Sequence, residues 1–91
     1  MRIQVDYSMQ VRTSGSGISH ETIELEETLT LQQLLEYLLQ RHPDWLSRWL
    51  TAEAEPRPGL MVFHNDCTPP SRDILLSDHD TVSLLTLVSG G

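Results

Sequence analysis

The sequence predicts an α+β domain in which one main helix packs on one face of a mixed β-sheet. Three observations carry this. Ile3, Val5, Tyr7, Met9 and Val11 alternate with Gln4, Asp6, Ser8, Gln10 and Arg12, the period of two of a half-buried strand. Leu31, Leu34, Leu35, Leu38 and Leu39 recur at the spacing of one helix face. Apolar runs at 60–63 and 81–88, separated by turn-forming residues, then supply further strands.

Thr13-Ser14-Gly15-Ser16-Gly17 reads as a turn, after which Ile23 and Leu25 alternate with Thr22, Glu24 and Glu26. The first strand is thus expected to return as an antiparallel hairpin. Thr30 and Gln33 have capping-box spacing and start the helix, which runs to Arg41 because Pro43 forces the residue before it out of helical geometry. Asp44 is placed to cap a second short helix carrying Trp45, Leu46, Trp49 and Leu50, with the tryptophans sealing the edge of the core. The segment 51–59, rich in Glu and Pro, reads as a loop without a period of its own. Leu60 to Phe63 has the continuous apolar character of a central strand and is closed by the turn-prone Asn65-Asp66. Pro69-Pro70 excludes the next residues from a central strand. Ile74-Leu75-Leu76 is expected to pack, and Ser77-Asp78-His79-Asp80 to turn. In the last strand, 81–88, Val82 and Leu84 point inward and Leu85 and Leu87 to the opposite side. A right-handed crossover sets the first and last strands side by side and parallel at the centre.

Ninety-one residues make one domain, 1–91, with 87–91 read as an extended tail. Apolar residues at 38% suit a folded globule. The single cysteine, Cys67, cannot close an internal disulfide, and the four histidines show no ligand spacing, so no metal site is expected. A net charge of −7 repels nucleic acid and anionic membranes, and any electrostatically steered partner should present a basic face. No export signal or membrane-length apolar run is present, making the cytoplasm the expected location. No Ser-His-Asp or Cys-His arrangement and no phosphate-binding glycine loop supports independent catalysis. All six basic residues are arginine, so no lysine side chain can attack an activated carbonyl within the chain.

The sequence stops at Leu87-Val88-Ser89-Gly90-Gly91 directly after the expected central strand. A carboxylate becomes electrophilic only when converted to a mixed anhydride such as an acyl-adenylate, so its carbonyl must reach ATP in another protein. Gly91 has no β-carbon to obstruct attack, and Gly90 permits backbone angles closed to other residues. Five extended residues from Leu87 span at most about 18 Å, enough to thread a narrow channel. A sulfide or thiol nucleophile could then take the adenylate, leaving a thiocarboxylate or thioester.

The stretch Leu76-Ser77-Asp78-His79-Asp80-Thr81-Val82 followed by Val88-Ser89-Gly90-Gly91, with Gln10-Val11-Arg12, Arg57-Pro58-Gly59 and Asn65, resembles the MoaD/ThiS sulfur carriers. The chain departs from their pattern at His79, at His64 and Asp66 around Asn65, and at Thr86-Leu87, where molybdopterin synthase small subunits frequently have Pro-Pro. His79 between two aspartates tolerates the left-handed geometry of the usual glycine better than most residues.

The resemblance implies the ubiquitin-like β-grasp fold and a carrier rather than an enzyme, or the small non-catalytic subunit of a sulfurtransferase such as molybdopterin synthase. It implies that Gly91 is adenylated by an E1-like enzyme, which uses the ATP, and is converted to a thiocarboxylate by a sulfurtransferase or sulfide source. The carrier itself binds no cofactor. Leu85 stands where the family places an apolar residue that docks on the activating enzyme and on the molybdopterin synthase large subunit. Leu85, Leu87, Val88 and Ser89 are therefore the partner-binding candidates, and Gly90 and Gly91 the reactive end. Two other readings stay open: a ubiquitin-like modifier joined to proteins through Gly91, and a non-catalytic β-grasp interaction module in which Gly-Gly has no role.

Overall fold

The computed structural model describes residues 1–8 and 20–86. Four strands, β1 (Arg2–Tyr7), β2 (His20–Glu24), β3 (Leu60–His64) and β4 (Thr81–Thr86), form one sheet in the order β2-β1-β4-β3. β1 is antiparallel to β2 and parallel to β4, and β3 is antiparallel to β4. The parallel central pair is the one expected from the sequence. The expected strand positions of Met9, Val11, Leu87 and Val88, and the turn at 13–17, lie outside the described residues.

Helix α1 (Leu31–Arg41) carries both halves of the capping box: the Thr30 hydroxyl accepts from Gln33 N, and the Gln33 side chain accepts from Thr30 N. Its Leu31, Leu34, Leu35 and Leu38 are fully buried, and Leu39 is partly buried at the margin of the stripe. They pack with Ile3, Val5 and Tyr7 of β1, Ile23 of β2, and Val82 and Leu84 of β4. Alternation within the strands is thus what selects the core face.

Four expectations are corrected. The four-residue helix α2 (Pro43–Leu46) is capped by His42, not Asp44. Pro43 occupies its first turn, where the missing amide hydrogen is not needed, so the proline that ends α1 also begins α2. Trp49 and Leu50 follow α2 rather than belonging to it, and Trp45 is buried in the core while Trp49 is only partly buried. Segment 51–59 is a loop, as expected, and it is held by local bonds: Thr51 N donates to Glu55 O, Leu50 bridges Pro56, and Ala54 is buried at φ 60. Gln32 of α1 clamps it, donating to Glu53 O at 2.9 Å and accepting from Arg72 at 2.7 Å. In 74–76 Leu76 is buried and Ile74 packs partly against the core as expected, but Leu75 is 65% exposed.

The fourth correction concerns β3, which is an edge strand. Its run is apolar because both of its faces are used. Leu60 and Val62 lie on the helix side with Thr86 and Leu84, whereas Met61 and Phe63 lie on the open side with Leu85 and Ser83.

Candidate functional site: the open sheet face and the end of β4

α1 covers one face of the sheet, and the other face divides by chemistry. Across β2 and β1 it is polar, with the cross-strand pairs Thr22 and Gln4, and Glu24 and Arg2. Across β4 and β3 it is apolar: Leu85 is paired with Met61, and Ser83 with Phe63. Leu85 is 37% exposed, so it does not belong to the core, whereas its neighbour Leu84 is fully buried. Phe63, Ser83, Leu85 and Asp66 line a shallow depression of about 180 Å³.

Two polar networks brace the sheet, one at the turns beside this face and one on the helix side. At the start of β4, Asp80 accepts from His64 Nε2 at 2.7 Å, from Ser77 N at 2.8 Å and from Asn65 Nδ2 at 3.1 Å. Burial is the largest influence on the Asp80 carboxyl and raises its pKa, but these donors together outweigh it and hold the group below its ordinary value. Asn65 Oδ1 in turn accepts from Thr81 N. Asn65 and Asp66, at φ 51 and 66, form a two-residue turn closed by reciprocal bonds between His64 and Cys67. His79 at φ 69 adopts the left-handed geometry expected of it, and its amide donates to Arg2 O.

The second network lies between sheet and helix, toward the end at which β4 finishes. Glu21 Oε1 accepts from Tyr7 OH at 2.6 Å and from His42 Nε2 at 2.9 Å, and its Oε2 from Arg41 Nε at 3.2 Å. Burial, the largest influence, raises the Glu21 pKa, but the Tyr7 and His42 hydrogen bonds and the charges of His42 and Arg41 bring it below the ordinary value. The Tyr7 phenol is driven far above its ordinary value, first by burial and then by Glu21. Trp45 packs edge-on to Tyr7 at 5.0 Å and tilted on His42 at 4.9 Å.

Of the residues singled out from the sequence, Leu85 lies on the open face as expected. Leu87, Val88, Ser89, Gly90 and Gly91 lie outside the described residues. Met61 and Phe63 were missed as site residues, although their alternation with Leu60 and Val62 was a usable signal. Glu21 and His42 were also missed; they are 21 residues apart and nothing local couples them. Among the described residues no group of three or more His, Cys, Asp or Glu could hold a metal, and no helix is long and apolar enough to cross a membrane.

A helix laid across one face of a four-stranded mixed sheet, with the parallel pair central and an apolar patch on the free face, is the ubiquitin-like β-grasp of small sulfur carriers. The fold is shared with SAMP1 from Haloferax volcanii, with a TM-score of 0.83 and 19% identity over 100% of both chains. It is also shared with the protein assigned as molybdopterin converting factor subunit 1 in Pyrococcus furiosus, at TM-score 0.75 and 24% identity over 96% of this chain and 98% of that one. A third match is a chain of the complex between subunits 1 and 2 of the molybdopterin-converting factor from Helicobacter pylori, at TM-score 0.67 and 23% identity over 100% of both. No curated protein sequence matches. The ThiS family model matches residues 7–91, and the chain belongs to that family. Proteins of this type are non-catalytic subunits or substrates of partner enzymes.

Proposed function

We propose that this protein is a sulfur carrier activated at Gly91. An E1-like enzyme adenylates the Gly91 carboxylate with ATP, releasing pyrophosphate. Sulfide, or a persulfide on a sulfurtransferase followed by reduction, then displaces AMP to leave a thiocarboxylate that donates its sulfur in molybdopterin biosynthesis in the cytoplasm. The observation that carries this reading is the family match, which extends to residue 91 and so includes Gly90-Gly91. The chain's own residues supply the handle: Leu85 with Met61 and Phe63 forms the surface that the activating enzyme, and then a molybdopterin synthase large subunit, would grip. Leu87, Val88 and Ser89 would line the partner's channel.

A specific observation favours a second reading. SAMP1 of Haloferax volcanii is described as a small archaeal modifier protein, and this chain shares its fold over its full length. As a modifier the protein would be joined through Gly91 to target amines, and without lysine it could not build chains on its own side chains.

Intact-protein mass spectrometry separates these readings. With ATP and the E1-like enzyme of the same genome, the mass should rise by one adenylyl group. Adding a sulfur source should then give one sulfur-for-oxygen exchange for a carrier, or isopeptide-linked adducts in extract for a modifier. A chain lacking Gly90 and Gly91 that sustains the same process as the intact one would end both readings.

A further inference from the structure

We infer that the depression lined by Phe63, Ser83, Leu85 and the exposed Asp66 is a specificity socket. It would take an apolar side chain of the partner that is flanked by an arginine or lysine. This rests on the reading of the open face as the docking surface, and adds to it the chemistry of what docks.

Shape supplies the first argument. The depression is lined by four residues from two strands and their adjoining turn, and its volume of about 180 Å³ suits a single anchoring side chain. The backbone beneath it is well held. Ser83 and Leu85 lie on a strand hydrogen-bonded on both sides, and Phe63 precedes a turn held by Asn65, His64 and Asp80. A rigid socket avoids the ordering cost that weakens binding to mobile side chains.

Charge supplies the second. The other carboxylates near the patch are occupied: Asp80 accepts three hydrogen bonds, and Asp6 accepts from Gln4 Nε2 and is paired in register with His20. Asp66 is exposed and accepts no hydrogen bond from the described residues, and no cation among them lies within ion-pair distance of it. It also sits at φ 66, where glycine would be conformationally cheaper. Among the described residues, the only charged side chain lining the depression is thus an acidic one with no partner, in a molecule of net charge −7. Such a rim charge contributes chiefly to partner choice and association rate.

Binding to the purified E1-like enzyme of the same genome tests this, using wild type, Asp66→Asn, Asp66→Arg, Phe63→Ala and Leu85→Glu at low and high salt. Thermal unfolding of each variant checks that it is folded. At low salt, Asp66→Asn should weaken binding roughly 2- to 5-fold and Asp66→Arg about 10-fold or more, mainly through slower association, with both differences shrinking at high salt. Phe63→Ala should weaken it at either salt concentration. Reversing the partner's basic residue to Glu should restore binding to Asp66→Arg. If Leu85→Glu abolishes binding while both Asp66 variants match wild type in affinity and salt dependence, the socket assignment is wrong and the docking face stands. If folded Leu85→Glu binds as wild type does, the docking face itself falls and the socket with it.

Discussion

Replacing Glu21 with Ala tests whether the network between sheet and helix holds the end of the fold from which the tail departs. Glu21 is 12% exposed at its side chain and accepts from Tyr7, which is 5% exposed, and from His42, whose side chain is 13% exposed. Removing the carboxylate strands a nearly buried phenol and an imidazole, at about 1 to 3 kcal/mol for a buried donor left unpaired. The Arg41 contact adds little, because that guanidinium is half exposed and screened. The expected loss is therefore about 2 to 4 kcal/mol, and for a domain of this size the midpoint of thermal unfolding should fall by roughly 10 to 25 °C. Glu21→Gln keeps an acceptor for Tyr7 but loses the charge, so it should cost less, about 1 kcal/mol. Urea unfolding followed by tryptophan fluorescence suits the measurement, since Trp45 contacts both Tyr7 and His42. The pH dependence has a fixed sign. Because the folded carboxyl lies below its ordinary value, its contribution is complete above the unfolded value of about 4.3 and is lost as pH falls through the folded one. The gap between wild type and Glu21→Ala should thus narrow in acid. A gap under about 0.5 kcal/mol at neutral pH, or one unchanged at pH 3, would refute this account of the network.

Two further outcomes follow from the packing and the turns. Leu38→Ala, on the fully buried stripe of α1, should cost about 2 to 5 kcal/mol in urea unfolding, and a loss below about 1 kcal/mol would contradict the tight leucine stripe. Asp80→Asn should cost about 1 to 2 kcal/mol at neutral pH, with the difference closing as pH falls below about 3.9, since the Asp80 carboxyl is also depressed in the folded state; equal stability at neutral pH would remove Asp80 as the tie between β3 and β4.

What was legible in the sequence was what period and local chemistry encode. The alternation of β1, the leucine stripe and capping box of α1, the turns at Asn65 and His79, and the parallel central pair are all present as expected. The errors fall where one local signal has two physical causes. A continuous apolar run signals burial on both faces, but in β3 one face is the core and the other the open patch, so an edge strand looked central. Asp44 and Pro43 both suit a helix start, and the proline prevailed because its ring supplies the backbone angle without a side-chain bond. The Glu21 network was invisible because its partners come from β1, β2 and the end of α1, and only the tertiary fold brings them together.

The same alternation explains how so small a protein can change its binding surface without losing its fold. In β4, Val82 and Leu84 are fully buried against the helix side, while Ser83 and Leu85 project from the other face of the same backbone. Hydrogen bonds to β1 and β3 hold that backbone whatever side chain points outward. Under the proposed function, substitutions at 83 and 85 should therefore change docking with little effect on stability, whereas truncations at 82 and 84 open cavities in the core. β4 is also the strand that leads to Gly90-Gly91, so under the proposed function a grip on Leu85 limits how far the end of the chain can reach. Gly91 lies six positions after Leu85, at most about 21 Å away when extended. An inserted residue after Thr86 should leave docking affinity intact and lower adenylation, because the grip is unchanged while the carbonyl overshoots the nucleotide. If adenylation proceeds at the wild-type rate with the insertion, the distance from Leu85 does not position Gly91.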